Sequence, residues 1–171
     1  MNIPARFSNI TTFVFDIDGV MTDGSVNVLE TGEHYRTFHI RDGYAIERAV
    51  QAGYRLCVIT GGKHEGVRKR LQNLKIHDVF MGSGGKSKRQ IYEDWLVSSE
   101  IDESTILYMG DDLPDYEVMK REAIFATCPA DACEEILAIA NYISPQKGGK
   151  GAVRDVIEQV MRAKNEWLVF E

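Results

Sequence analysis

The chain is predicted to be an α/β protein built on a doubly wound, mostly parallel sheet, and three observations in its 171 residues predict it. Apolar runs of strand length alternate with segments of helical period. The runs are rich in β-branched and aromatic residues, as buried strands are. No Pro- or Ser-rich linker, internal repeat or low-complexity tract divides the chain. A soft prior of about 150 residues per domain then gives one domain over residues 1–171, with a hairpin flap at about 25–40 and a C-terminal tail at about 145–171.

The elements follow in order. Thr11 to Phe15 reads as the first strand and ends at Asp16; Tyr54 to Ile59 ends at Thr60; Val79 to Met81 ends at Gly82. Ile106 to Met109 ends at Gly110, and Ile124 to Ala126 is the fifth strand. Between them lie helical segments: Gly43 to Ala52, His64 to Leu74 with Val67, Leu71 and Leu74 on one face, and Ser87 to Val97 with Ile91 and Trp95 inward. Asp115 to Arg121, Asp131 to Ala140 and Ala152 to Ala163 complete the helices. One segment departs from this alternation. Ser25 to Leu29 and Tyr35 to Ile40, joined around Glu30-Thr31-Gly32-Glu33, predict a β-hairpin inserted after strand one. In doubly wound sheets ligands sit at the carboxyl ends of the strands, near the switch point of strand order.

Twenty Lys and Arg against 26 Asp and Glu leave a net charge of −6. Nucleic-acid and acidic-membrane partners, which select basic surfaces, are disfavoured. Asp16, Arg55 and Asn141 interrupt the most apolar stretches, so no membrane span is expected. The first residues lack a signal-peptide pattern. Cys57, Cys128 and Cys133 form no metal-binding or disulfide pattern and are expected as reduced thiols, which points to a cytoplasmic protein. His34, His39, His64 and His77 are scattered without metal-ligand spacing, and only His64, beside Lys63, is a lesser candidate for substrate contact.

The chemistry lies where the strands end. Strand one runs into Asp16-Ile17-Asp18-Gly19-Val20-Met21-Thr22-Asp23-Gly24, strand two into Thr60-Gly61-Gly62, and strand four into Gly110-Asp111-Asp112-Leu113-Pro114-Asp115. Acids from two non-adjacent strands would converge on one edge. Carboxylates so crowded repel one another and need a compensating charge, and Mg²⁺, which takes oxygen ligands and keeps waters, fits. Single strand-end Asp residues are commonly helix caps or Asx turns; the set together is not. Lys86, which follows glycines after strand three, is a candidate partner of phosphate and carboxylate. Gly82-Ser83-Gly84-Gly85-Lys86-Ser87 is no P-loop, because that motif needs Gly where Phe80 stands.

Asp16-x-Asp18-Gly-Val-x-Thr-Asp-Gly, Thr60, Lys86 and Gly110-Asp111-Asp112-x-x-Asp115 resemble, in order, the four motifs of haloacid dehalogenase (HAD) superfamily phosphatases. Within that superfamily the chain resembles the small 3-deoxy-D-manno-octulosonate 8-phosphate (KDO 8-P) phosphatases, through Phe38-His39-Ile40-Arg41-Asp42-Gly43 and Gly148-Gly149-Lys150-Gly151-Ala152-Val153-Arg154. The resemblance implies a Rossmann-like, capless (type C0) fold with the hairpin after strand one. It implies Asp16 as nucleophile, forming an aspartyl-phosphate, and Asp18 as the acid and base for leaving oxygen and water. Mg²⁺ would be held by the side chains of Asp16 and Asp111 and the main-chain carbonyl of Asp18. Thr60, Gly61 and Lys86 would bind the phosphoryl group, and Asp112 and Asp115 would stand behind the direct ligands. The resemblance further implies a homotetramer built on the hairpin, with a neighbouring subunit covering each site and the glycine-rich tail reaching toward a neighbour. The pathway it implies is cytoplasmic supply of KDO for lipopolysaccharide.

The chain departs from its relatives at Gly62, where many carry Arg that can fork onto the sugar-acid carboxylate. A branch acting on 2-keto-3-deoxynononate 9-phosphate carries Glu there and Lys in the following helix, against Gly62 and Asn73 here. Arg41-Asp42-Gly43 favours the eight-carbon branch. Lys63, Arg68 and Arg70 are candidates for the missing cation. Two other classes stay open: a receiver-like switch, which groups similar residues but lacks an acid at the position of Asp18, and an inactive scaffold homologue.

Overall fold

The computed structural model describes residues 3–82 and 84–168. The ends of the expected domain, residues 1–2 and 169–171, and Ser83 of the glycine-rich turn lie outside the described residues. In chain order the first elements are α1 (Ile3–Phe7), β1 (Thr12–Phe15), β2 (Asn27–Val28), β3 (His34–Tyr35), α2 (Ile40–Gln51), β4 (Arg55–Thr60), α3 (Glu65–Asn73) and β5 (Asp78–Met81). After these come α4 (Lys88–Ser99), a 3₁₀ turn (Glu103–Thr105), β6 (Ile106–Met109), α5 (Leu113–Met119), β7 (Phe125–Cys128), α6 (Glu134–Ile139), β8 (Tyr142–Ile143) and α7 (Ala152–Ala163).

Six strands form one sheet in the order β5-β4-β1-β6-β7-β8, with every neighbouring pair parallel. The five strands expected from the sequence are all present. The sixth, β8, is two residues long and too short to show a period; Asn141 positions it by accepting the Ala126 N–H at 2.9 Å. Alternation along the strands divides the core in two. Phe13, Phe15, Leu56 and Val58 face α2, α3 and α7, whereas Val14, Cys57, Ile59 and Tyr108 face α4, α5 and α6. Both faces are thus covered, as a parallel sheet requires. Because β4 and β6 pair with β1 on opposite sides, the strand order reverses at β1, and its carboxyl end opens into a crevice.

Helix starts differ from the expected ones for identifiable reasons. Helix α2 begins at Ile40 rather than Gly43, taking in Asp42, an acid well placed in a first turn. Gly43 inside it leaves room for the Arg70 guanidinium of α3, which a Cβ would strike. Helix α5 begins at Leu113, where Asp112 caps it and Pro114 occupies its first turn.

The hairpin is shorter than its sequence suggests. Only Asn27–Val28 pair with His34–Tyr35, closed by Leu29 N–H to Glu33 O at 2.9 Å. Val28 and Tyr35 of the arm are exposed, and His34 meets His64 with ring centroids 5.4 Å apart. A lone two-stranded ribbon is marginal without a third partner.

Gly148 and Gly149 pack against the loop after β1 of their own chain. Both are buried, Gly149 N–H bonds Val20 O at 3.0 Å, and a Cβ on Gly148 would strike the Gly19 carbonyl. Asp131 holds the Gly148 N–H at 2.9 Å. Close backbone approach is what these glycines provide, and it buttresses the loop after β1. The following helix, α7, buries Val153, Val156, Ile157, Val160 and Met161 in its own chain's core. No helix among the described residues is long and apolar enough to cross a membrane.

Candidate active site

Three strand ends supply the site. Strand β1 delivers Asp16, 7% exposed; β4 delivers Thr60, 3% exposed; and the turn after β6 delivers Asp111. Gly19, in the left-handed region at φ 84°, lets the loop after β1 fold back over Asp111, whose carboxylate any Cβ there would overlap. Asp16, Asp111 and Asp115 each offer a carboxylate oxygen within 4.8 Å of the others.

The lysine beside these acids is Lys88, not Lys86. Lys88 Nζ lies 2.8 Å from Asp16 Oδ2 and 2.8 Å from Asp115 Oδ1. Lys86 is exposed and pairs with Asp94 at 2.6 Å. The reason is the helix start. Ser87 caps α4 through a capping box with Gln90, so Lys88 is the first helical residue and points down onto the sheet edge, while Lys86 precedes the cap and faces water. The signal was present in the sequence as Ser87-x-x-Gln90.

Asp115 anchors this lysine. It is fully buried, accepts the Tyr108 hydroxyl at 2.6 Å and the Lys88 ammonium, and its Oδ2 has no partner. It therefore sits among the acids, closer in than the sequence suggested. Asp112, by contrast, is exposed, and its side chain caps α5 by accepting the Leu113 N–H at 2.8 Å.

Burial and the neighbouring Asp115 push the Asp16 carboxyl up from 3.8 to about 7, against the opposing pull of Lys88. Burial and Asp115 likewise raise Asp111 to about 7. Burial alone would lower Lys88, but Asp115 and Asp16 outweigh it and hold the ammonium above its ordinary value. One lysine does not neutralise three acids. An oxygen-rich, partly buried cluster with an orphaned Asp115 oxygen fits a hard divalent cation.

Asp18 stands at the rim, with its side chain 36% exposed. Arg36, just after β3, grips it through Nε to Oδ1 and through Nη2 to Oδ2 at 3.1 Å. The sequence reading missed Arg36, because nothing in the spacing of a hairpin reveals which residue folds back. Thr60 Oγ1 accepts the Gly62 N–H at 3.2 Å, which curls the turn after β4 around the hydroxyl. Gly62, His64, Thr60 and Asp18 line one recess with Arg36, and Gly61 is exposed beside it. Of the remaining candidate cations, Lys63 follows Gly62 and lays its stem along Gly82, Arg68 pairs with Glu65 at 3.6 Å, and Arg70 is at Gly43.

No family model matches the chain. The 3-deoxy-D-manno-octulosonate 8-phosphate phosphatase of Escherichia coli (strain K12) is 32% identical over 165 residues, spanning 96% of this chain and 86% of that protein. The chain belongs to the 3-deoxy-D-manno-octulosonate 8-phosphate phosphatase family. The crystal structure of the Yersinia pestis enzyme of this name superposes with a TM-score of 0.91 at 31% identity, over 96% of this chain and 88% of that one. The Moraxella catarrhalis enzyme, solved with magnesium ion, phosphate ion and a KDO molecule, gives a TM-score of 0.90 at 30% identity, over 96% and 93%.

Within this KDO 8-P phosphatase family member, one part of the resemblance has a structural explanation. Asp42 of the Arg41-Asp42-Gly43 stretch is 2% exposed and accepts the Arg154 N–H at 2.8 Å, capping α7 from α2. That stretch and the glycine-rich stretch are joined as one packing unit. Asp42 and Gly43 of that stretch thus hold α2 against α7 and α3 within the chain.

Proposed function

We propose that the protein is a Mg²⁺-dependent phosphomonoesterase that hydrolyses 3-deoxy-D-manno-octulosonate 8-phosphate to 3-deoxy-D-manno-octulosonate and phosphate. The observation that carries it is the ammonium of Lys88 seated between Asp16 and Asp115 at the carboxyl end of β1, in a chain of this family.

Asp16 is the nucleophile. One of its oxygens attacks phosphorus in line, the bond from phosphorus to the sugar oxygen breaks, and Asp18 gives that oxygen its proton. Asp18 then takes a proton from water, the water oxygen attacks the aspartyl-phosphate, and phosphate leaves with Asp16 restored. Lys88 holds charge on the nucleophile and the transferring group, and the Thr60 hydroxyl and the Gly61 N–H bind phosphoryl oxygens. Asp16 and Asp111 would hold Mg²⁺, with Asp18 adding its main-chain carbonyl; bound there, the ion screens the nucleophile from the phosphate dianion and keeps both carboxyls ionised. Asp115 keeps Lys88 in place, and Asp112 keeps α5 in place.

The assembly we propose is a homotetramer whose contacts run through the hairpin. Val26, Val28, Leu29 and Tyr35 are 43–63% exposed on the arm. Burying them between copies supports both the arm and a cover for each site. The free thiols of Cys57, Cys128 and Cys133 support a cytoplasmic setting.

The test is Mg²⁺-dependent phosphate release from four substrates: the eight-carbon and nine-carbon ulosonate phosphates, a hexose 6-phosphate and an aryl phosphate. The eight-carbon acid is expected to lead by tenfold or more in kcat/KM, about 1.4 kcal/mol of discrimination. A lead by the nine-carbon acid overturns the substrate, and no turnover on any of the four overturns the enzyme reading in favour of a switch or scaffold.

A further inference from the structure

Gly62 gives the turn after Thr60 no side chain, and the recess it lines with Thr60, His64 and Asp18 takes its charge from elsewhere. Arg68 pairs with Glu65 and Arg70 lies against Gly43, whereas one further guanidinium enters the recess from another element. Arg36 arrives from the hairpin, and its side chain is only 7% exposed although the arm around it is open to solvent. Burying a guanidinium so far from the core requires partners on all its edges. Nε and Nη2 have theirs in Asp18, but Nη1 is buried with none. A Cβ at Gly62 would lie 4.0 Å from Asp18 Oδ2, so the space that a longer side chain would fill adjoins the Asp18–Arg36 pair.

We infer that Arg36 is the specificity-determining residue of this site, binding the carboxylate of the sugar-acid substrate with the guanidinium edge that Asp18 does not use. The inference rests on the proposed substrate class. The fork suits the task, because two parallel N–H donors match a carboxylate plane where a lysine would act only as a point charge. Its position suits it as well. A group that grips Asp18 while holding the far end of the substrate aligns the leaving oxygen with the acid that protonates it. Entry of the cation from the hairpin also makes recognition depend on how the arm is held.

The experiment compares wild type with Arg36→Met and Arg36→Lys, using the ulosonate 8-phosphate and a neutral hexose 6-phosphate with Mg²⁺, and reads the ratio of kcat/KM for the acidic over the neutral sugar. The melting temperature of each variant is recorded alongside. The ratio is expected to fall at least tenfold in Arg36→Met, mostly through KM for the acidic sugar, with partial recovery in Arg36→Lys. A folded Arg36→Met that retains the wild-type ratio, its rate falling equally on both sugars, overturns the inference and leaves Arg36 as a support for Asp18 alone. Should Arg36→Met not fold, Arg36→Lys decides: an unchanged ratio there overturns the inference, and a ratio lowered at least threefold supports it. A wild type with no preference for the acidic sugar overturns the substrate reading and this inference together, which separates the two failures.

Discussion

Lys88 bridges Asp16 and Asp115, its Nζ 2.8 Å from a carboxylate oxygen of each. The contact joins the first residue of α4 to the end of β1 and to the first helix turn after β6, so three elements converge on one ammonium. Charge placed there acts on the nucleophile and on whatever it attacks.

Lys88→Met is expected to lower kcat/KM by about 10³-fold, the scale of losing one preorganised charge donor at a developing oxyanion. Lys86→Met, at an exposed pair with Asp94, is expected to stay within about threefold, since surface ion pairs contribute 0–1 kcal/mol. Steady-state kinetics on both variants decide which lysine the chemistry uses, and the reverse ranking sinks the assignment.

Asp18→Asn is expected to fold and to lose nearly all turnover of the sugar phosphate. With an aryl phosphate, whose leaving group needs no proton, the first step should survive and the second fail. Stopped-flow should then show one burst equivalent of aryl alcohol followed by a slow phase. Equal steady turnover by Asp18→Asn and wild type would remove Asp18 from the mechanism.

Asp16 and Asp111 bear on stability as well as catalysis. Their carboxyls titrate at about 7 in the folded chain without a cation and near 3.8 when unfolded. Between those values the folded state binds more protons, so stability falls as pH rises through that window and levels off above it. Buried Asp42 is raised too and acts in the same direction. In chelator the melting temperature is expected to be lower at pH 8 than at pH 5.5. Mg²⁺ should restore it at pH 8 and bind more tightly there than at pH 5.5, because it competes with protons for the same oxygens. A melting temperature that rises with pH in chelator contradicts this electrostatic picture.

Asp42→Ala removes the group that holds the Arg154 N–H at the start of α7. Loss of such a cap costs about 1–2 kcal/mol, or roughly 2–8 °C at this chain length. Differential scanning calorimetry should record that drop with kcat within about twofold of wild type. A large kcat loss at unchanged stability would return Asp42 to the substrate site.

The fold and the acids were legible because each left a local trace. A strand such as Thr12–Phe15 is a short β-branched and aromatic run, and Asp16, Asp18 and Asp111 follow such runs directly, so finding the strand end finds the residue. Lys88 was hidden by one helical step, since the glycines before Lys86 draw attention there while the cap at Ser87 decides which lysine turns inward. Arg36 left no trace, because its contact with Asp18 spans 18 residues and depends on how the hairpin folds back. The glycines at 148 and 149 are equally at home in a flexible tail and in a backbone contact. Only their packing on Gly19 and Val20 distinguishes the two.

The central claim is that Asp16 carries the phosphoryl group, and rapid acid quench during turnover of the ulosonate 8-phosphate, followed by proteolysis and fragmentation mass spectrometry, tests it most directly. The account predicts phosphate on Asp16 within the tryptic peptide Phe7 to Arg36, accumulating in Asp18→Asn and absent without Mg²⁺. Steady turnover with no phosphorylated Asp16 at any quench time in wild type or Asp18→Asn would contradict it, and would mean that water attacks the substrate without a covalent intermediate.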